Sequence, residues 1–223
     1  MPTATLSLPA RLYLLAWDTT RGRVTGATHL PHLVRAGALT ELAQRGLLDD
    51  RDGIATPTDP DGRTGDPVLD GLLELVEESR PRSWKTWVGL RTRVTLEAVR
   101  AQLAADGCLR VVRKRVLGLF PSVEYELDRV AVVDALRAEA RQVLVGPVPV
   151  GDVPERDAAL VVLAAAAELR TLSSGGERRA HRERLDALAE RSGSATPALR
   201  KAVREVRAAV AVAITTTPGT PGG

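Results

Sequence analysis

Five prolines of this chain, Pro9, Pro31, Pro67, Pro154 and Pro197, stand in the opening turn of a segment with apolar residues at helical spacing. Proline has no N–H to donate and holds φ at about −65°, so it suits the first turn of an α-helix and breaks one further in. Residues suited to capping a helix precede four of them: Ser7, Asp66, Asp152 and Thr196. A chain punctuated in this way has to fold mainly as helices.

The segments follow from that punctuation. Ser7-Leu8-Pro9 opens a helix carrying Leu8, Leu12, Leu15 and Ala16, and "DTTRGRVTG" breaks it. A second helix is expected from Thr28 to Arg45, stopped by Gly46, and a third follows the Asp66-Pro67 pair and ends before Pro81. "SWKTWVGL" reads as a short helix, with Trp84 and Trp87 as core anchors. "TLEAVRAQLAADG" reads as another, ending at Gly107. Val130–Val145 is helical, and "GPVPVGDVP" is a linker. Asp152 and Glu155 are spaced as a capping box for a central, almost wholly apolar helix over Pro154–Leu172. Glu177–Arg191 is expected as one charged helix, and Thr196-Pro197 starts the last, which ends near Ile214.

Two stretches have strand character. "LLDDRDGIATPT" places short strands around an Asp-Gly turn. "CLRVVRKRVLGLFPSVEYEL" predicts strands at Leu109–Val112 and near Val123–Leu127 around a basic and apolar tip. The expected architecture is mainly α: a single globular helical domain over residues 5–215 with one or two β-hairpins, one projecting. Residues 216–223 form a disordered tail rich in Thr, Pro and Gly.

Composition narrows the function. Aromatics are only 3% of the chain, so Leu, Val and Ala must build the core. Lysine occurs only at Lys85, Lys114 and Lys201 and asparagine not at all, a usage typical of a GC-rich bacterial genome. The net charge of +3 permits an anionic partner without requiring one. The lone Cys108 excludes an internal disulfide and reads as a small buried thiol. No basic region precedes the first apolar run, so a signal peptide is not expected, and no apolar run is long enough to span a bilayer. A cytoplasmic protein that sits on a membrane without crossing it fits these features. Phosphate-loop, dinucleotide and HExxH motifs are absent. His29 and His32 straddle Pro31 and have no third ligand nearby. No catalytic residue, metal or cofactor is expected, and the protein reads as a non-enzyme. Mixed charge on the Glu177–Arg191 segment argues against a nucleic-acid partner, which calls for a single-sign stripe.

Taken in order, "LSLPARLYLLAWD", "LVRAGALTELAQRGLL", "TGDPVLDGLLELVEESRP" with Trp87 beyond it, and "TLEAVRAQLAADGCL" leading into the hairpin resemble the Golgi phosphoprotein 3 family, which includes a yeast vacuolar-sorting homologue and many bacterial proteins. The resemblance covers about residues 5–215. It implies a mostly helical fold with a projecting hairpin and no catalysis. For the eukaryotic members it further implies binding of phosphatidylinositol 4-phosphate, peripheral attachment at the cytosolic face of a membrane, and sorting of Golgi glycosyltransferases through their tails.

The family's headgroup pocket uses a tryptophan, an arginine and two basic residues on a later helix. Here the first arginine matches Arg35 and the first basic position of the later helix matches Arg93. Gly26 stands where the family has tryptophan and Leu96 where it has the second basic residue, with Arg91 or Arg100 available to compensate. Arg35 begins an apolar stripe with Ala38, Leu39 and Leu42. It either marks the floor of an anion pocket or lies at the stripe's edge, reaching water, Glu41 or Asp70.

The hairpin residues Arg113, Lys114, Arg115, Val116, Leu117, Leu119 and Phe120 suit contact with an anionic membrane. Alternatively they pack into the core or join copies of the chain. The leading expectation is a peripheral membrane-binding module that recognises anionic phospholipid headgroups through Arg35 and Arg93. The alternative is a protein-interaction adaptor of the same fold that has lost lipid binding and holds a partner such as a membrane enzyme's tail.

Overall fold

The computed structural model describes residues 6–116 and 120–216, without the side chains of 114–116, 120–122 and 216. In chain order the elements are α1 (Leu8–Leu15), a two-residue ribbon of β1 (Trp17–Asp18) and β2 (Arg23–Val24), α2 (Leu30–Gln44), β3 (Leu48–Arg51) and β4 (Ile54–Pro57). There follow α3 (Pro67–Glu77), α4 (Trp84–Gly89), α5 (Thr92–Ala105), β5 (Leu109–Val116) and β6 (Phe120–Leu127). The remainder is α6 (Val130–Val145), α7 (Glu155–Ala166), α8 (Gly175–Ala180), α9 (Arg182–Arg191) and α10 (Pro197–Thr216). The expected mainly helical class with β-hairpins is what the chain forms. Each sheet is a separate antiparallel pair.

Helix α2 is the axis of the molecule. It packs against α1, α3, α4, α5, α7 and α10, and most of its residues are buried, which is why its sequence is apolar on nearly every side. Helix α7 is the second central element, packed on α1, α2, α6, α9 and α10. Trp84 and Trp87 are fully buried core anchors, and Cys108 is a buried thiol. Gly46 and Gly107 take left-handed φ values of 73° and 68° just beyond α2 and α5. There the Leu47 N–H bonds the Leu42 carbonyl and the Cys108 N–H bonds that of Leu103, closing each helix in the expected glycine-terminated way. The Asp66 carboxylate accepts from the N–H groups of Val68 and Leu69, and the Thr196 hydroxyl from that of Leu199.

Three local expectations are corrected. Helix α7 stops at Ala166, not Leu172, although no glycine stops it. Glu168 takes the left-handed position at φ 51°, and the Leu169 N–H bonds back to the Ala164 carbonyl, so a residue with no helix-ending character ends the helix. Asp152 and Glu155 do not form a capping box. Asp152 ends a 3-10 turn at Val150–Asp152, and the Glu155 carboxylate accepts instead from the Ser194 hydroxyl at 2.6 Å. A capping box does form between Ser174 and Glu177, and it starts the short α8; the charged segment then breaks at His181 into α8 and α9.

The break after α1 is a miniature hairpin, with Trp17 paired to Val24 and Asp18 to Arg23. Asp18 accepts from the backbone N–H groups of Thr20 and Arg21, which tightens the turn. The β5–β6 hairpin is longer than expected, with Leu109 opposite Leu127 and Val116 opposite Phe120. Strand β5 packs on α5, while Val111 and Val123 are exposed.

Candidate functional site

Helices α2 and α5 meet at their N-terminal ends around an open cleft of about 460 Å³. Thr28 and Ala27 approach from the turn before α2, Pro31 and His32 from its first turn, and Thr92, Arg93, Leu96, Glu97 and Arg100 from α5. Helical spacing explains the second set: positions 93, 96, 97 and 100 fall on one face.

Arg35 lies one turn along α2 from His32 and is completely buried. It does not line the cleft. Its Nη2 donates to the backbone carbonyl of Arg91 at 2.8 Å, while Nε and Nη1 have no hydrogen-bond partner among the described residues. Neither carboxylate considered from sequence reaches it. Glu41 accepts from the Leu8 N–H and from Arg45, and Asp70 accepts from Thr64 and Gly65. Burial pushes the Arg35 guanidinium down to about 10.

The accepting carbonyl belongs to a strained residue. Arg91 caps α5 in the left-handed conformation, at φ 50°, and its carbonyl also receives the Val94 N–H at 3.0 Å. A buried cation thus stands at the electropositive end of α5, where the helix dipole gives it no compensation.

Arg93 is exposed on the cleft wall and makes no ion pair among the described residues. Arg35 and Arg93 are therefore brought to the same end of α5, one behind the cleft and one in it. Arg100 is different. Its guanidinium is paired with Glu97 at 2.7 Å, donates to the Tyr13 hydroxyl at 3.3 Å, and lies 5.7 Å from the Tyr13 ring centroid and 5.5 Å from that of Tyr125. It joins α1, α5 and strand β6, so the cleft wall is physically connected to the hairpin. Burial works against its charge, but Tyr13 and Glu97 outweigh that, and the net displacement is upward.

His32 is the site residue that sequence reasoning passed over as a helix-entry histidine. It is half-buried in the cleft wall, with Nδ1 unpartnered, and is held below its ordinary value by burial and then by His29. The i, i+3 spacing from Arg35 was the available clue. Gly26 does not border this cleft. It lies in a separate depression with Asp18, Arg21, His29 and Arg137, at a left-handed φ of 64°. Leu96 is buried in the cleft floor.

On the hairpin, Arg113 is exposed and pairs across the strands with Val123. Lys114, Arg115, Val116 and Phe120 belong to the strands, but their side chains lie outside the described residues, as do Leu117 and Leu119 altogether. Among the described residues no group of three His, Cys, Asp or Glu is placed to hold a metal, and no helix is long and apolar enough to cross a membrane.

A search of curated proteins returns no match to the chain. The sequence profile described as Golgi phosphoprotein 3 (GPP34) matches residues 8–206, a span running from the first residue of α1 well into α10 and including both Arg35 and Arg93. On that match, together with a helical fold carrying a long hairpin, the chain belongs to the Golgi phosphoprotein 3 (GPP34) family.

Proposed function

We propose that this protein is a non-catalytic, peripheral membrane-binding module that takes an anionic lipid headgroup, of the phosphatidylinositol 4-phosphate type, in the α2–α5 cleft. The observation that carries the reading is Arg35: a fully buried guanidinium behind the cleft, whose Nε and Nη1 have no partner and which has no carboxylate paired with it among the described residues. A buried charge without a partner is costly, and an anion entering next to Arg93 supplies the missing counter-charge. Arg93 offers a fork of donors suited to phosphate oxygens, and the first N–H groups of α5 face the same end of the helix. Membrane attachment is completed by the β5–β6 hairpin through Arg113, Lys114, Arg115 and the apolar residues at its tip.

Co-sedimentation with liposomes tests this. Vesicles containing phosphatidylinositol 4-phosphate are expected to pellet the protein, neutral vesicles to leave it in solution, and Arg93→Ala to abolish the difference. Equal pelleting with both vesicles overturns the reading.

Gly26 and Leu96, two departures from the family's pocket, favour a second reading in which the fold serves as a protein-interaction adaptor. Under that reading Arg93→Ala leaves partner capture intact and no vesicle binds the protein.

A further inference from the structure

A second cleft system shares no residue with the α2–α5 site. Where α7, α9 and α10 meet, a groove of about 380 Å³ runs over Val162, Ala165, Ala166, Leu185, Ala208 and Ala211. Arg178, Arg182, Asp186, Arg204 and Arg207 also line it. Next to it is a depression of about 680 Å³ bordered by Arg170, Arg178, Arg179 and Arg182, with Glu168 as the acid among its lining residues. Arg178 and Arg182 border both spaces, which places the two side by side.

Charge on the combined rim is strongly unbalanced. Arg170, Arg178, Arg179, Arg182, Arg204 and Arg207 face only Glu168 and Asp186 among the lining residues. Arg178 approaches Glu168 at 3.8 Å and Arg182 approaches Asp186 at 3.9 Å, both at the outer limit of an ion pair. The other four arginines make no ion pair among the described residues. Such a crowd of cations repels itself unless an anion is present.

We infer that this is a binding site for a single-chain anionic amphiphile, specifically a monoacyl glycerol phosphate. The apolar floor holds the acyl chain, and the arginines of the adjoining depression hold the head. A phosphate dianion suits the excess of positive charge better than a carboxylate does, and guanidinium groups pair with its oxygens two at a time. Both volumes fall in the range of small-molecule sites. A groove of 380 Å³ suits one extended chain better than the several large side chains by which an amphipathic helix docks. The site does not depend on the headgroup reading of the α2–α5 cleft.

Calorimetric titration of the full chain with 1-oleoyl lysophosphatidic acid, kept below its micelle concentration, tests the assignment. Saturable one-to-one binding is expected. Inorganic phosphate and lysophosphatidylcholine of the same chain length, which lack the tail and the net charge respectively, are each expected to bind at least about tenfold more weakly. Ala208→Phe fills the groove from an exposed position, and Arg182→Ala removes an exposed cation; each is expected to lower affinity about tenfold, while Arg51→Ala, which removes an exposed cation from β3, leaves it unchanged. Binding that ignores both Ala208→Phe and Arg182→Ala overturns the inference. So does phosphate binding as tightly as the lipid, or loss of lipid binding in Arg93→Ala, which would place the ligand in the α2–α5 cleft. An acidic amphipathic peptide that binds where the lipid does not overturns it in favour of a protein partner.

Discussion

The Arg35 guanidinium donates to the backbone carbonyl of Arg91 at 2.8 Å, and that single bond joins the buried axis of the molecule to the strained start of α5. Neither residue is neutralised by a carboxylate among the described residues. The fold therefore keeps an uncompensated charge in its interior where an apolar side chain would serve packing better.

Arg35→Met should separate stability from binding. Displacement of the guanidinium to about 10 corresponds to a charge-burial cost on the order of 3 kcal/mol, offset by about 1 kcal/mol from the hydrogen bond to Arg91. The variant is expected to resist urea better than the parent by about 1–3 kcal/mol. Stabilisation by added headgroup phosphate is expected to vanish. A variant that unfolds earlier would show that Arg35 is a structural strut.

Glu41 anchors a different junction. It is buried on α2, and its carboxylate accepts from the Leu8 N–H at 2.5 Å, from Arg45 at 2.6 Å and lies 3.4 Å from Arg156. Helix α1 has no side-chain cap of its own, so Glu41 caps it from another helix. Glu41→Ala leaves the Leu8 N–H without its cap and takes a carboxylate from beside Arg45 and Arg156, and is expected to cost about 2–3 kcal/mol in denaturant unfolding. Arg45→Ala, at the exposed end of the network, should cost less than about 1 kcal/mol.

Gly193 controls the approach of α9 to α10. A Cβ there would stand 2.6 Å from the Arg200 Cα, and backbone cannot rotate aside. Gly193→Ala is therefore expected to destabilise the protein by about 1–3 kcal/mol, read as a lower melting temperature. Gly53, where a Cβ meets nothing but φ is 85°, isolates the separate cost of a left-handed backbone.

His32 should give the cleft a pH dependence. Burial and His29 hold it below 6.5, so between that lowered value and 6.5 the unfolded chain binds more protons than the folded one. Its contribution to stability is full above 6.5 and is lost as the pH falls. Arg93, Glu97 and Arg100 line the same cleft from α5. An anion in the cleft favours the imidazolium, so headgroup affinity is expected to rise as pH is lowered from about 7.5 to 5.5. His32→Gln should flatten that profile, and a parent profile that is already flat would remove His32 from the site.

Local chemistry alone settled much of this molecule. Pro67 behind Asp66, Gly46 after α2 and Gly107 after α5 each act within a few residues of backbone, so the helix boundaries they set can be read from the chain. The same holds for the burial of Trp84 and Trp87 and for the existence of a hairpin between Leu109 and Leu127, though not for the length of its strands. The end of α7 was decided otherwise, because Glu168 has no intrinsic preference for the left-handed conformation it adopts. The state of Arg35 was likewise beyond the sequence. Its i, i+3 and i+4 neighbours marked an apolar face, but whether a carboxylate would meet it depended on where α5 and Asp70 came to rest. Tertiary packing placed the Arg91 carbonyl there and left two donors unpaired. Charge compensation is a property of through-space distance, and chain order does not encode it.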